Sequence, residues 1–159
     1  MNNNKTLQPK EGHFILFDQY GNPYYQKFAP IVGYEDKKVV LTRSQSFTTP
    51  RFPKNAQVTV TLIGAGSSDG SAGYIESKTF NLKYIQRTFE VSIGKAGLNG
   101  APGEPTAFGD LLCANGGFMN NSSIGLEENG KPYGYGANDS SPATDGVCIV
   151  EWKEPIWGK

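Results

Sequence analysis

The sequence predicts an all-β fold, an antiparallel β-sandwich with glycine-rich loops and a short N-terminal hairpin. Three observations carry this. No stretch of eleven or more residues keeps apolar positions at helical spacing. Short runs alternate apolar and polar side chains instead, the clearest being Val58, Val60 and Leu62 against Thr59, Thr61 and Ile63. Glycine, tyrosine and phenylalanine are plentiful (20, 8 and 9 residues), which favours strands joined by many turns.

Taken in order, Met1 to Gly12 is polar and reads as a tail or linker. His13 to Phe17 and Pro23 to Phe28 flank Asp18-Gln19-Tyr20-Gly21-Asn22, a hairpin signal. Ala29 to Asp36 reads as a connection, and Lys38 to Arg43 as a short strand. Ser44 to Asn55 holds Pro50 and Pro53, which restrict it to a sheet edge or a loop. After the Val58 strand come expected strands at Tyr74 to Leu82, Arg87 to Ile93, Thr106 to Ala114 and Gly146 to Trp152. The total expected is about eight to ten strands, the number a sandwich of this kind uses. The boundary is expected near residue 45, with tail and hairpin in 1–45 and a glycine-rich sandwich domain in 46–159.

Sixteen of the 20 glycines lie between Gly64 and Gly146. They mark the connections Gly64 to Gly73, Gly94 to Gly103, Asn115 to Gly117 and Asn129 to Gly146. Glycine recurs at every third position in 94, 97, 100 and 103, a run too short for a collagen-like helix and expected to form an extended loop. The last connection is the longest, and long loops in compact domains are usually functional or disordered.

Charge narrows the function classes. Lys plus Arg equals Asp plus Glu, 15 each, so no phosphate backbone or anionic membrane is favoured as a partner. The apolar runs are too short to span a bilayer, and no membrane insertion is expected. No charged-then-apolar leader opens the sequence, so signal-peptide export is not expected. Cys113 and Cys148 are too few for a disulfide scaffold or zinc site. Both are expected as buried thiols, with a bridge between them left open should their strands be neighbours.

Chemistry is sparsely represented. Gly64-Ala65-Gly66 after a strand begins a dinucleotide-binding fingerprint, but Asp69 stands at the third glycine position and no helix stripe follows. No cofactor is therefore expected. His13 is the single histidine and lacks a Ser or Asp at a motif spacing. Adjacent carboxylates at Glu35-Asp36 and Glu127-Glu128 point to opposite strand faces, so neither pair makes an acid/base dyad. Loop oxygens at Ser67, Ser68 and Asp69, and from Asn138 to Asp145, match no calcium-loop pattern, and no metal site is expected. An enzyme is not expected. Binding remains: Phe118, Tyr133 and Tyr135, with the amides of Asn115, Asn120, Asn121 and Asn138, are concentrated in the glycine-rich connections. Flat aromatic faces beside amides suit sugar rings or protein surfaces, and equally suit packing on glycine backbone.

Phe47 to Pro50 followed by Val58 to Gly66 (VTVTLIGAG) resembles the glycine-rich domain of bacteriophage tail-fibre and tail-tip (receptor-binding) proteins. The resemblance continues through Arg87 to Gly94, Gly97 to Gly103, Thr106 to Gly109, Ala114 to Gly117 and Asp145 to Trp152. It covers about the last two-thirds of the sequence and rests on the order of these motifs. It implies a β-rich, non-enzymatic module of a virion tail that binds a host cell-surface glycan or protein. Other tail or fibre proteins would be its partners, a homotrimer its assembly and the virion its location, after synthesis in the host cytoplasm. A structural baseplate or tail subunit is the alternative. Family members often carry long glycine runs after the first strand. Here that turn reads GAGSSDG, which argues against packed polyglycine segments.

Overall fold

The computed structural model describes residues 13–27, 30–50, 56–82, 87–119 and 124–158. These are all β: twelve strands and no helix among the described residues. The expected sandwich is present.

Its first sheet has the order β3-β12-β5-β6, built from Ile31–Leu41 (β3), Val147–Trp157 (β12), Ala56–Ile63 (β5) and Ile75–Leu82 (β6). The second has the order β4-β7-β8-β9, from Gln45–Thr48 (β4), Thr88–Ser92 (β7), Thr106–Phe108 (β8) and Leu112–Ala114 (β9). β5 lies antiparallel between β6 and β12, with Val60 opposite Lys78 on one side and Val150 on the other. Period-two alternation then sorts the faces. Val58, Val60, Leu62, Cys148 and Val150 turn inward to meet Leu41, Val91, Ile93, Phe108 and Ala114, all buried. Phe108 is the largest fully enclosed side chain, with the rings of Phe89 and Phe47 tilted against it at 4.7 and 6.2 Å. Outward, Thr59 pairs with Thr79 and Thr61 with Ser77 through hydroxyl hydrogen bonds of 2.9 Å.

A hairpin of Leu126–Glu128 (β10) and Lys131–Tyr133 (β11) covers part of the outer face. Leu126 and Tyr133 pack there on Ile63, Val147 and Ile149. Lys38 pairs with Glu128 at 2.6 Å, and this contact raises the lysine's affinity for its proton.

The chain divides into two compact units, Met1–Tyr34 with Pro155–Lys159, and Glu35–Glu154. The first contains the hairpin expected from the sequence, His13–Phe17 (β1) against Pro23–Lys27 (β2). Asp18 closes its turn by accepting the N–H groups of Tyr20 and Asn22 at 2.9 and 2.8 Å. The Asn22 contacts dominate in holding the Asp18 carboxyl below its ordinary value. The polar stretch Met1 to Gly12 lies outside the described residues.

Three expectations need correction. Thr106 to Ala114 is a hairpin, because Gly109 at φ +53° turns the chain between β8 and β9. Residues 31–36 belong to a strand, with Ile31, Gly33, Glu35 and Lys37 carried on the extended β3. Cys113 is exposed on β9 while Cys148 is buried on β12 in the other sheet, and both thiols are free. Burial in apolar surroundings pushes the Cys148 thiol up to about 12.

Candidate functional site: a glycine-packed bundle and its tip

Beyond the ends of β5, β7, β9 and β11 the chain continues as extended segments outside any sheet. Three successive residues show why these are not strands. Gly64 N–H donates to Tyr74 O, Ala65 N–H to Glu104 O and Gly66 N–H to Thr144 O, at 2.9, 3.0 and 2.9 Å. A strand alternates its N–H groups between two neighbours. Donation to three different segments requires a backbone turning by about a third of a circle per residue, as in extended helices with three residues per turn.

The segment 64–66 is therefore enclosed by six others. Gly97 N–H donates to Gly66 O, and Gly117 N–H to Ala65 O, at 2.9 and 2.8 Å. The segments around Gly73, Gly103, Gly136 and Gly146 complete the ring, packed so closely that an added Cβ would overlap backbone. A Cβ on Gly64 would overlap the Asn115 carbonyl, one on Gly66 that of Tyr135, and one on Gly103 that of Ala65. Cross-links continue outward: Gly73 N–H to Gly134 O, Gly103 N–H to Gly117 O, and Gly146 N–H to Gly94 O, at 2.8 to 3.0 Å. Buried backbone polar groups must be paired, and these bonds pair them without a sheet. The GAGSSDG turn, expected to argue against polyglycine packing, in fact supplies the central segment. Ala65 places one methyl there, fully buried.

One ionic clamp ties the bundle's rim. Lys95 Nζ meets Asp145 Oδ2 at 2.8 Å, and Ala96 N–H donates to Asp145 Oδ1 at 2.8 Å. Partial burial opposes ionisation of Asp145, but the Lys95 hydrogen bond, the Ala96 N–H and the lysine's charge outweigh it. The carboxyl is held below its ordinary value.

Outgoing and returning segments meet in turns at the end of the bundle remote from the sheets. Three lie at 67–71, 98–101 and 138–141. The turns are tied to one another. Gly100 N–H donates to Ser68 Oγ at 2.8 Å, Ser68 Oγ donates to Ala101 O at 3.1 Å, and Ala137 N–H donates to Ser67 O at 2.9 Å. Asp69 accepts Ser67 Oγ at 2.7 Å and Ser71 N–H at 2.9 Å, contacts that lower its pKa, Ser67 contributing most. Asn138 Oδ1 accepts the N–H and hydroxyl of Ser140, which shapes its own turn. On this braced surface stand large apolar side chains: Leu98, Phe118 and Met119 are 69, 55 and 74% exposed.

The candidate binding residues divide between the two ends. Phe118 and Asn138 reach the tip. Asn115 follows β9 directly, and its carbonyl accepts Tyr74 N–H at 2.9 Å. Tyr133 ends β11 and packs on Ile63, Val147 and Ile149, while the Tyr135 ring lies over Gly125. Asn120 and Asn121 fall outside the described residues. Leu98, Asn99 and Met119 were not singled out from the sequence. The signal for Leu98 and Asn99 was available in Leu98-Asn99-Gly100, a large apolar residue ahead of a turn pair. Among the described residues no group of three His, Cys, Asp or Glu side chains gathers to hold a metal ion.

No protein-family model matches the chain, and neither a curated protein nor a solved structure matches it.

Proposed function

We propose that this chain is a tail-fibre or tail-tip protein of a bacteriophage or phage-like particle, and that its tip loops bind a host cell-surface glycan or protein. One observation carries the reading: three turns converge on one end of a backbone-bonded bundle, where Leu98, Phe118 and Met119 stand in solvent. A contiguous patch of exposed apolar side chains marks an interaction site. A site on rigid supports also loses little entropy when it binds. Ser68, Asp69 and Asn138 brace the turns, which leaves the exposed side chains of Leu98, Phe118 and Met119 to be shaped by recognition. In this reading Phe118 supplies the flat apolar contact and Asn138 the amide, with Leu98, Asn99 and Met119 beside them.

The second reading is a structural virion subunit making protein contacts alone. It draws on the smaller unit, where Phe17, Tyr20, Val32, Tyr34 and Trp157 are exposed. Binding of the purified chain to a glycan array and to intact host cells separates the two. Phe118→Ala with Asn138→Ala is expected to weaken cell binding about tenfold or more, as central aromatic contacts do. Undiminished binding in that variant would contradict the tip site, and a parent chain that binds neither glycans nor host cells would move the assignment to the structural subunit.

A further inference from the structure

The chain contains three Asn-Gly pairs, at Asn99, Asn115 and Asn129. This is the dipeptide in which a backbone nitrogen can attack the preceding side-chain amide, because glycine has no Cβ to crowd the approach. We propose that Asn129-Gly130 is a self-modification site, converting by its own backbone chemistry while the fold protects the other two pairs.

The step balances without a redox partner. The Gly130 nitrogen loses its proton to solvent base and attacks Asn129 Cγ. The bond from Cγ to the amide nitrogen breaks, and ammonia leaves with a proton. Water then opens the five-membered imide at one of its two carbonyls, giving aspartate or isoaspartate.

Access to the attacking nitrogen separates the three pairs. Gly116 is buried, and its Cα faces the Gly103 carbonyl so closely that no Cβ fits, so Asn115 has no room for ring closure. Gly100 is exposed, but its N–H is held by Ser68 Oγ at 2.8 Å, and the Asn99 turn is closed by Ala101 N–H on Leu98 O at 2.9 Å. Asn129 and Gly130 are both exposed, with nothing near the position a Gly130 Cβ would take. They form the two-residue loop between Glu128 and Lys131, at φ +52° and +71°. Both angles lie in the left-handed region of a type I′ turn, a conformation that asparagine and glycine adopt readily. The strands it joins are three residues each, so this hairpin opens more readily than the bundle.

The product differs in shape as well as charge. Isoaspartate adds one atom to the backbone of a two-residue loop, which shifts the register of β10 against β11. Leu126 and Tyr133 then lose their fit over Ile63, Val147 and Ile149.

The test is peptide mapping by mass spectrometry of the intact chain, incubated folded in mildly alkaline buffer and, in parallel, unfolded in guanidinium chloride. In the folded chain Asn129 is expected to convert several-fold faster than Asn99, and Asn115 to stay intact. Unfolding should bring the three rates together. Ser68→Ala should raise the Asn99 rate toward that of Asn129 and leave Asn129 unchanged. Conversion of Asn115 in the folded chain as fast as Asn129, or Asn99 outpacing Asn129, would overturn the assignment.

Discussion

At the scale of single residues, two glycines separate space from conformation. A Cβ on Gly103 would overlap the Ala65 carbonyl, with rigid backbone on both sides. Gly103→Ala is expected to cost about 3 kcal/mol or more, the upper range of overpacking, because no flexible side chain can yield. Gly100 has open space around it and φ +85°. Gly100→Ala should cost about 1–2 kcal/mol, the penalty of a left-handed L-residue. Urea denaturation of the two variants checks the order. Asp145 makes a second test at this scale. Its folded carboxyl has a lowered pKa, so its contribution to stability is present above the unfolded value of about 3.9 and is lost as pH falls through the folded one. Asp145→Asn should flatten the acid limb of the stability–pH curve, so that stability falls less steeply below about pH 4 than in the parent. An unchanged limb would show that the Lys95 clamp contributes nothing.

At the scale of elements, the strands that could be read from the sequence were those long enough to show alternation. β5 was legible because Val58, Val60 and Leu62 alternate with Thr59 and Thr61, and β7 because Phe89 and Val91 alternate with Thr88, Glu90 and Ser92. β10 and β11 were not: three residues show no period, and Glu127-Glu128 resembles a solvated turn. Their Asn129-Gly130 loop carried the signal, but the strands beside it lack the β-branched residues that would have completed it. The glycine connections were located in place, but their packing on one another as a bundle was not read. A glycine chosen for positive φ and one chosen for absence of volume look alike in one sequence. Only the meeting of segments far apart in the chain, such as Gly64 with Asn115 and Gly66 with Tyr135, tells them apart. The same limit applies to Tyr133 and Tyr135. Their positions in a long loop spoke for recognition, whereas the structure lays them on Ile63, Val147 and Gly125. Tyr133→Ala should therefore lower stability by about 2 kcal/mol or more, a loss read as a lower denaturation midpoint.

At the scale of the molecule, the larger unit joins two ways of satisfying a backbone. Its sheets pair N–H and C=O groups strand by strand and bury Val60, Leu62, Phe108 and Val150 between them. Its bundle pairs the same groups among seven extended segments and fills the space with glycine. The proposed binding function needs the second device, because it carries loops away from the sheets on a support held by backbone hydrogen bonds. Native-state amide hydrogen exchange tests this most directly. The N–H groups of Ala65, Gly66, Gly97, Gly103 and Gly117 lie outside every strand, yet each is bonded to another segment. They are expected to exchange as slowly as those of β5 and β12, while amides at the tip near Asn99 and Asn138 exchange rapidly. Exchange of Ala65 and Gly103 at the rate of the tip amides would contradict the bundle and the site built on it.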